Sequence, residues 1–488
     1  MVKNTRTVRC AGTLGAVVAA LALVLAASTK PVYPQAASKC QECHAKVTPG
    51  IVAQWQKSKM GQIGLDCVIC HGSDHQTADD AKKAKIPTPS TCQACHPLRV
   101  EQYRNGKHAL AWAAMKAMPM VTHQPRPVVG PEGYKGCSGC HKIGEKSEDE
   151  LRSPEFRYGT GSCDSCHTRH TFSVNEARDP RACQTCHMGF DHPQWEMWST
   201  SKHGTIWQIE GNTGRAPTCQ TCHMPGGDHG VMTAWGFLGL RVPEDDEKWW
   251  ADRVEILKAL GVLDASGQGT ERLEAVKIAK VARLTKEEFQ EQRARMQSVC
   301  ANCHSPSYAA AQLQASDEVL READALMAEA IRTVRGLYAD GLLKVPPTWK
   351  YAPDLLQFYE AKSSIEQELY VMFLEYRMRT FQGAFHANPD YMHWYGWAAM
   401  KRSLQEIKDE AARIRAEQKP EPSPPLIAGD VSGDGAVTVA DAAIALQAAV
   451  GLRQLSEKQL AAADINKDGQ ISITDAIAIL KIALKIPG

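Results

Sequence analysis

The sequence lacks an excess of charge of either sign, because 56 lysine and arginine residues face 55 aspartate and glutamate residues. This balance excludes the broad basic surface with which proteins neutralise nucleic-acid phosphates. Beyond the first thirty residues, the sequence also lacks any run close to the about 20 apolar residues that span a membrane. We therefore expect no nucleic-acid partner and no membrane-spanning core.

The one apolar run lies at the N-terminus, between positions 11 and 27, and it follows Lys3, Arg6 and Arg9. A basic start, a short apolar run and the small residues of "QAA" have the layout of a secretory signal. We expect residues 1–37 to be that signal. The protein would then be exported, either to the periplasm or to the cell surface and extracellular space.

Isolated cysteines are also missing, since 16 of the 17 cysteines fall into eight copies of C-x-x-C-H and only Cys10 stands alone. In this motif two thiols bond to the porphyrin edge and the histidine binds the iron. The pattern predicts eight covalently bound haem c groups, numbered here in chain order. The motifs are Cys40-Cys43-His44, Cys67-Cys70-His71, Cys92-Cys95-His96, Cys137-Cys140-His141, Cys163-Cys166-His167, Cys183-Cys186-His187, Cys219-Cys222-His223 and Cys300-Cys303-His304.

Seven of the eight motifs lie between Cys40 and His223. So little chain per cofactor cannot enclose each ring separately, so the haems themselves should form the interior. Gly-, Pro- and Thr-rich connectors such as "IPTPSTC" favour short helices and loops around them. The expected fold is mainly α, with a haem-packed core followed by long helices.

The histidine count limits the axial ligands. Of 17 histidines, eight belong to the motifs, which leaves nine candidates for the second axial position. If eight of them bind iron, the protein is an electron conduit. If seven do, one iron keeps an open face for a substrate. The nine are His75, His108, His123, His170, His192, His203, His229, His386 and His393.

His192 differs from the other candidates because Asp191 precedes it. An adjacent carboxylate can orient an imidazole and help it to hold or pass a proton. The alternative is that Asp191 caps a helix that begins at Pro193. Both roles remain open at this point.

The eight motifs, the stretch "CHMGFDHPQWE", the following "SKHG" and an aromatic C-terminal tail resemble the octahaem hydroxylamine oxidoreductase family. The resemblance covers roughly residues 38–415. It implies that the fourth haem, held by Cys137, Cys140 and His141, is catalytic and lacks a second protein ligand. It also implies that Asp191 and His192 are the acid–base pair beside the substrate.

Oxidising members of that family form homotrimers in which a tyrosine of a neighbouring subunit is cross-linked to the catalytic porphyrin. Tyr391 and Tyr395, in "NPDYMHWYGWAAMK", lie in the corresponding region, although either could simply pack in a helix. No motif ends in lysine, which argues against nitrite reductases with a C-x-x-C-K site.

The remaining chain divides by composition. The octahaem domain is expected over residues 38–305, with a helical insertion at about 241–298, and a helical region over 306–417. Apolar spacing predicts long helices at 309–339 and 354–417. A Pro-rich linker covers 418–427.

Residues 428–488 contain two copies of a calcium-loop pattern, D-x-[SN]-x-D-G, each with Asp at position twelve and an apolar helix after it. Two such loops resemble a type I dockerin, which implies two calcium ions and a cohesin-bearing scaffold as partner. The alternative is a calcium-stapled appendage without a partner. The candidate ligands are Asp430, Ser432, Asp434, Ala436 and Asp441, then Asp464, Asn466, Asp468, Gln470 and Asp475.

The leading hypothesis is an enzyme that oxidises hydroxylamine or hydrazine and passes electrons to a cytochrome or a quinone-linked acceptor. One alternative is reduction of nitrite or hydroxylamine to ammonium at the same site. The other is a non-catalytic electron conduit, which is favoured if His192 is an axial ligand.

Overall fold

The computed structural model describes residues 38–116, 139–153, 161–189, 191–231, 243–278, 285–347, 349, 351–357, 363–417 and 426–486. Throughout these ranges the regular structure is helical, and a single isolated bridge joins Leu263 to Gly269. This confirms the mainly α fold class. Within the same ranges, no helix combines the length and the apolarity that crossing a bilayer demands.

Short helices characterise the region that carries the first seven motifs. Prolines begin several of them, and threonine caps the helix of the seventh motif, where Thr218 accepts from the amide of Thr221. The described part of this region also contains three 3₁₀ turns, Ala78–Lys83, Cys163–Ser165 and Pro225–Gly227. The helices are Lys39–Val47, Pro49–Lys57, Lys59–Gln62, Val68–His71, Pro89–Gln93, Pro97–Arg104, Lys107–Lys116, Glu148–Arg152, Val174–Arg178, Arg181–Gln184, Gln194–Ser199, Lys202–Glu210 and Cys219–His223.

Few apolar side chains are fully buried among these short helices. Those that are buried include Val100, Tyr103, Ile143, Met197 and Trp198. Such a set is small for a region of this length, because a buried side chain normally touches several others in one continuous cluster. The described part of the motif region therefore has no large side-chain core of its own.

The following region, by contrast, has long helices and a continuous core. The helix Pro306–Ala339 contributes Leu320, Met327, Ile331 and Leu337, all almost fully buried. Two π-helical turns, Met372–Arg377 and Met392–Trp397, interrupt the later helices. The other helices are Glu247–Ala259, Glu271–Ile278, Lys286–Cys300, Ser364–Val371, Met378–Phe385, Pro389–Tyr391 and Ala398–Glu417.

The expected insertion is part of this same core. Ile256, Leu260 and Val276 belong to one apolar cluster with Met327 and Phe373. A packing unit thus extends across the boundary placed at residue 305, because helix Glu247–Ala259 buries its apolar face against the long helix.

The single helix expected over 354–417 is wrong, because the helix is interrupted at residues 386–388. Ala387 has a positive φ of 55°, and the Asn388 side chain accepts from the amide of Tyr391 and so caps the next helix. Apolar periodicity runs through this break because both halves face the same core. The break places His386 at a helix end.

A close approach between the two halves requires a glycine at position 396. A Cβ atom there would lie 2.5 Å from the backbone nitrogen of Thr380, well inside van der Waals contact. Gly396 therefore allows the second π-helical turn to lie directly against helix Met378–Phe385.

An ionic cluster lies inside the helical region. Asp324 and Arg377 are fully buried, and the Arg377 Nη2 atom lies 2.7 Å from Asp324 Oδ1. Arg253 reaches the other carboxylate oxygen at 2.7 Å, and the Trp249 indole donates to it as well. One carboxylate thus joins three helices.

The C-terminal module contains the helices Val439–Ala449, Glu457–Ala463 and Ile473–Ala483. The first and third, which follow the two repeated loops, pack around Val431, Ala445 and Ile479. A small core at the junction of the two copies explains why neither loop–helix unit would be stable alone.

Candidate active site

Six pairs of histidine rings recur at one spacing in the described residues. In each pair one ring belongs to a C-x-x-C-H motif and the other does not, and the ring centroids are 6.0–6.3 Å apart. The pairs are His44 with His75, His71 with His170, His187 with His108, His167 with His229, His304 with His203 and His223 with His386.

This spacing fits an iron between the two rings. A metal–imidazole bond is about 2 Å long, and the ring centre lies about 1 Å behind the bonding nitrogen, which gives about 6 Å in total. None of the cysteines in the described residues forms a disulfide there, so their thiols are available for haem attachment. These residues therefore fit bis-histidine haem c.

Hydrogen bonds to the second ring nitrogen orient several of these imidazoles. His44 Nδ1 lies 2.8 Å from the Thr48 hydroxyl, and His71 Nδ1 lies 2.9 Å from the Lys85 carbonyl. His386 Nδ1 lies 2.8 Å from a carbonyl one turn earlier in its helix. With those nitrogens donating, Nε2 is left for the metal.

Two imidazoles have charged surroundings. His75 Nδ1 lies 2.9 Å from the Asp80 carboxylate. Hydrogen bonds from the Thr77 amide, from His75 and from the Gln76 amide hold the pKa of Asp80 well below its usual range. His229 Nδ1 lies 2.8 Å from the Gly227 carbonyl, and the Arg99 guanidinium binds the same carbonyl.

The attachment motifs of different haems touch one another. Neighbouring thiols of different motifs shift each other's pKa, which indicates that the third motif lies beside the fifth, the fourth beside the sixth and the sixth beside the seventh. The thiols concerned are Cys92 with Cys163, Cys140 with Cys186 and Cys183 with Cys219. Because thiols attach at the porphyrin edge, haems held there would meet edge to edge.

Weaker electrostatic neighbours complete the order of motifs. The charge of a cysteine in a neighbouring motif raises the pKa of four thiols: Cys40 acts on Cys67, Cys92 on Cys70, Cys183 on Cys166 and Cys300 on Cys222. The motifs therefore run first, second, third, fifth, sixth, seventh, eighth, and the fourth branches from the sixth.

The fourth motif has a different neighbour. Burial lowers the pKa of His141, the charge of His192 lowers it further, and the charge of Asp191 raises it. The structure thus brings together the three residues expected to form the catalytic centre. In the described residues, neither His141 nor His192 belongs to a ring pair at the 6 Å spacing.

Asp191 and His192 form a tight pair, with 2.5 Å between Asp191 Oδ1 and His192 Nδ1. Burial alone lowers the pKa of His192, but the hydrogen bond and charge of Asp191 outweigh burial and raise it above the ordinary value. Both side chains keep about a third of their surface exposed, 35% for His192 and 30% for Asp191. The pair can therefore exchange protons with solvent.

The helix-capping role considered for Asp191 is wrong. The helix after the pair begins at Gln194, its N-cap position is Pro193, and no side chain caps it. The Asp191 carboxylate is directed to the imidazole instead. Because Pro193 has no amide hydrogen, that end of the helix has fewer donors for a capping carboxylate.

The C-terminal helices hold this short helix in place. Gln194 Nε2 donates to Gln382 Oε1 at 2.9 Å, and the buried Asn388 amide donates to the Met197 carbonyl at 2.8 Å. Asn388 also reaches the Thr200 hydroxyl at 2.7 Å. Bonds from residues nearly 190 positions away thus orient the segment that carries His192.

Three further expected residues lie in or next to the second π-helical turn. His393 stacks on Trp397 at 5.2 Å, and the structure does not bring it to a motif histidine. Tyr391 and Tyr395 pack against each other with centroids 4.9 Å apart. Burial raises the pKa of Tyr391. The charge of Glu196, on the helix after the acid–base pair, also raises it.

Two other expected residues, Cys137 and His123, lie outside the described residues. His96, the third motif's histidine, lies near the imidazole pair His167–His229.

In the two repeated loops of the C-terminal module, the aspartate side chains mainly accept hydrogen bonds from backbone amides of their own loop. Asp430 accepts from the amides of Gly433 and Gly435, and Asp441 accepts from the amide of Ser432 at 2.7 Å. Asp475 takes the matching role in the second loop. Nowhere in the described ranges are three acidic, histidine or cysteine side chains gathered into a metal cluster.

Four residues that support the site were not predicted from the sequence: Asp80, Arg99, Gln382 and Asn388. Asp80 lies five residues after a candidate histidine, so its spacing was a readable signal. Arg99, Gln382 and Asn388 act across large sequence separations and leave no local pattern.

Two family models match the chain. The model described as "Seven times multi-haem cytochrome CxxCH" matches residues 37–237 and 272–350. The model of the dockerin type I domain matches residues 428–484.

Relatives of known sequence or structure agree with these matches. A probable nitrite reductase–hydroxylamine oxidoreductase fusion protein of Kuenenia stuttgartiensis is 26% identical in an alignment 472 residues long, which covers 77% of this chain and 51% of that protein. The chain thus spans about half the length of that curated relative.

Among solved structures, a reducing HAO-like protein complex of Kuenenia stuttgartiensis has a TM-score of 0.58 and 25% identity, over 78% of this chain and 85% of that one. A hypothetical multihaem protein has a TM-score of 0.57 and 23% identity, over 84% of this chain and all of that one.

Proposed function

This chain belongs to the multihaem cytochromes with repeated CxxCH motifs and carries a dockerin type I domain, and from that premise we propose that it is an oxidoreductase of small nitrogen compounds such as hydroxylamine. One observation carries the proposal. The Asp191–His192 pair stands beside His141, the histidine of the fourth motif, and His192 has no 6 Å partner ring in the described residues.

We assign His141 and the fourth motif's cysteines to the catalytic haem and the six histidine pairs to haems that carry electrons. When bound, the haems supply an iron site for the substrate and a path for electrons. The second protein ligands of these electron-carrying haems are then His75, His108, His170, His203, His229 and His386. His192 is not such a ligand, because its place beside His141 leaves it free to meet a substrate.

The acid–base pair supplies the proton chemistry. His192 accepts a proton from the substrate when electrons are withdrawn, or donates one when they are added. The Asp191 carboxylate accepts a hydrogen bond from His192 Nδ1, so His192 Nε2 exchanges the proton with the substrate. The negative charge of Asp191 stabilises the imidazolium that forms. The remaining exposure of both side chains lets the proton reach solvent.

Adjacent motifs define the electron route. The Cys140 thiol lowers the pKa of Cys186, and this proximity supports electron transfer between the fourth motif and the sixth. The sixth in turn contacts the seventh and neighbours the fifth, so electrons can leave or reach the catalytic site in either direction along the chain. The partner is a cytochrome or a quinone-linked protein.

Oxidation of hydroxylamine or hydrazine is the direction implied by the resemblance in sequence, with Tyr391 or Tyr395 as the cross-linking residue and a homotrimer as the assembly. Reduction of nitrite or hydroxylamine is the second candidate. It is favoured by the structural relative described as a reducing HAO-like complex, which this chain covers to 85%.

Paired assays on the full-length holoprotein test the proposal. We expect either hydroxylamine-dependent reduction of an electron acceptor or ammonium formation from nitrite or hydroxylamine with a supplied reductant. The faster reaction identifies the direction. Failure of both reactions, with every haem spectrum unchanged by either compound, would leave only an electron conduit.

For the dockerin domain we propose two bound calcium ions and attachment of the exported enzyme to a cohesin-bearing scaffold. Carboxylate, amide and carbonyl oxygens at loop positions one, three, five, seven and twelve suit calcium. Calorimetric titration of the full chain should show two sites that Asp430→Ala combined with Asp464→Ala abolishes. Unchanged calcium binding in that variant would contradict the assignment.

A further inference from the structure

Side chains of opposite charge act on the distal imidazoles assigned to the first and fifth haems, one by direct contact and the other through a shared carbonyl. His75, paired with His44, contacts the Asp80 carboxylate at 2.9 Å. His229, paired with His167, contacts a carbonyl that also binds Arg99. Other paired rings, such as His44 and His71, contact uncharged oxygens.

Asp80 is well placed to act as a fixed negative charge. Its Oδ1 accepts from His75 and from the amides of Gln76 and Thr77, each at 2.9 Å. The side chain is 19% exposed, so solvent screens it only in part. Lys83 approaches the other oxygen, but only to 3.7 Å and with a 64% exposed side chain, so it offsets little of the charge.

A carboxylate partner makes an imidazole a stronger electron donor. Stronger donation stabilises the oxidised iron relative to the reduced iron and therefore lowers the reduction potential. The same bond to an uncharged oxygen, as at His44 or His71, has a smaller effect.

Arg99 has the opposite effect on the fifth haem. Its Nη1 donates to the Gly227 carbonyl at 2.7 Å, while His229 Nδ1 lies 2.8 Å from that same oxygen. The guanidinium draws electron density from the carbonyl, which weakens its bond to the imidazole, and its positive charge favours the reduced iron. Asp228 lies nearby, but it binds the Gly230 amide and approaches Arg295, which compensates part of its charge.

We propose that Asp80 and Arg99 are redox-positioning residues that set the direction of electron flow, Asp80 by lowering the potential of the first haem and Arg99 by raising that of the fifth. This inference rests on the proposed function, because it needs His75 and His229 to be axial ligands.

The positions of the two haems give this difference a consequence. The first motif lies at one end of the chain of contacts, and the fifth lies inside it, next to the sixth motif, from which the fourth branches. Transfer of an electron from the first haem to the fifth therefore releases free energy. The gradient favours delivery towards the catalytic site and hence the reductive direction.

The test is a potentiometric titration of the full-length holoprotein, followed by electron paramagnetic resonance of the low-spin haems. Asp80→Asn keeps the shape and an accepting oxygen but removes the charge, so one midpoint should shift upward. Arg99→Gln should shift a different midpoint downward. Asp79→Asn and Arg178→Gln, which make the same charge changes at exposed positions, should leave both midpoints in place.

Midpoints that stay unchanged, that move in the reverse sense, or that move equally in the control variants would overturn the inference. A separate variant keeps it distinct from the proposed function. If His75→Ala leaves every low-spin signal unchanged, His75 is not a ligand and the haem assignment itself fails. If His75→Ala removes one signal while Asp80→Asn shifts nothing, only the tuning role fails.

Discussion

The motif region and the helical region that follows it are built on different principles. Between residues 38 and 231 the described helices have at most ten residues and few buried apolar side chains. Between residues 243 and 417 one helix has 34 residues, and a continuous side-chain core surrounds it. The first region is organised by the ligands it presents, the second by apolar packing.

The two regions are nevertheless joined at the candidate active site. His386, from the helical region, pairs with His223 of the seventh motif. Gln382 and Asn388 bind the short helix after the Asp191–His192 pair. The packed region therefore acts as a rigid support for the ligand-rich region, and variants can separate the two contributions.

The largest effect is expected from His192→Ala, which should reduce turnover of hydroxylamine by about 10²–10⁴-fold, the usual contribution of a positioned acid–base group. The low-spin haem signals should stay unchanged, because His192 is not assigned as a ligand. Steady-state rates and paramagnetic resonance on the same sample measure both.

A control for this variant is His393→Ala, whose ring packs on Trp397. Its turnover should match that of the unmodified protein. If His192→Ala instead converts a low-spin haem to high spin, His192 is an axial ligand and the conduit hypothesis is favoured.

Asp324→Asn should destabilise the helical region by about 3–5 kcal/mol, because it leaves Arg253 and Arg377 buried without a counter-charge. Chemical denaturation followed by tryptophan fluorescence measures the loss. Asp340→Asn removes the same charge from an exposed pair with Arg415 and should cost less than about 1 kcal/mol. Equal losses in both variants would show that the buried cluster has no special role.

His386→Ala should convert a single haem, the seventh, from low spin to high spin while turnover falls less than in His192→Ala. The helix break at 386–388 exists where this ligand is needed, so its loss should not unfold the core. Magnetic circular dichroism counts the high-spin haems. An unchanged count would show that His386 is not a ligand.

The smallest expected effect is a shift in pH dependence. The Asp191 carboxylate raises the pKa of His192. In the oxidative direction His192 must be unprotonated to accept a proton, so the rate rises as pH increases through that pKa. Asp191→Asn lowers the pKa and should move this acid limb to lower pH, whereas Asp179→Asn should not. A limb that moves to higher pH would contradict the assigned roles.

Much of this organisation is readable from sequence because covalent haem attachment needs a local motif. The eight motif histidines, the Asp191–His192 pair and the dockerin repeats are each contained within a short stretch. The mainly α fold follows from the same motifs and from apolar spacing after residue 306.

The pairing of ligands could not be predicted, because partners such as His71 and His170 or His223 and His386 are far apart in sequence. Histidines in polar loops look alike until the fold selects among them, and His393 shows that proximity to the site in sequence is not enough. Apolar periodicity also hid the break before Asn388, since both helices face one core.

The central claim is that only the fourth haem meets the substrate, beside a histidine that does not bind iron. The most direct test is paramagnetic resonance of the oxidised holoprotein before and after addition of hydroxylamine. We expect the signal of one haem to change and the low-spin signals of the six histidine pairs to stay as they were. No change at any haem, or a change in the signals of the paired haems, would contradict it.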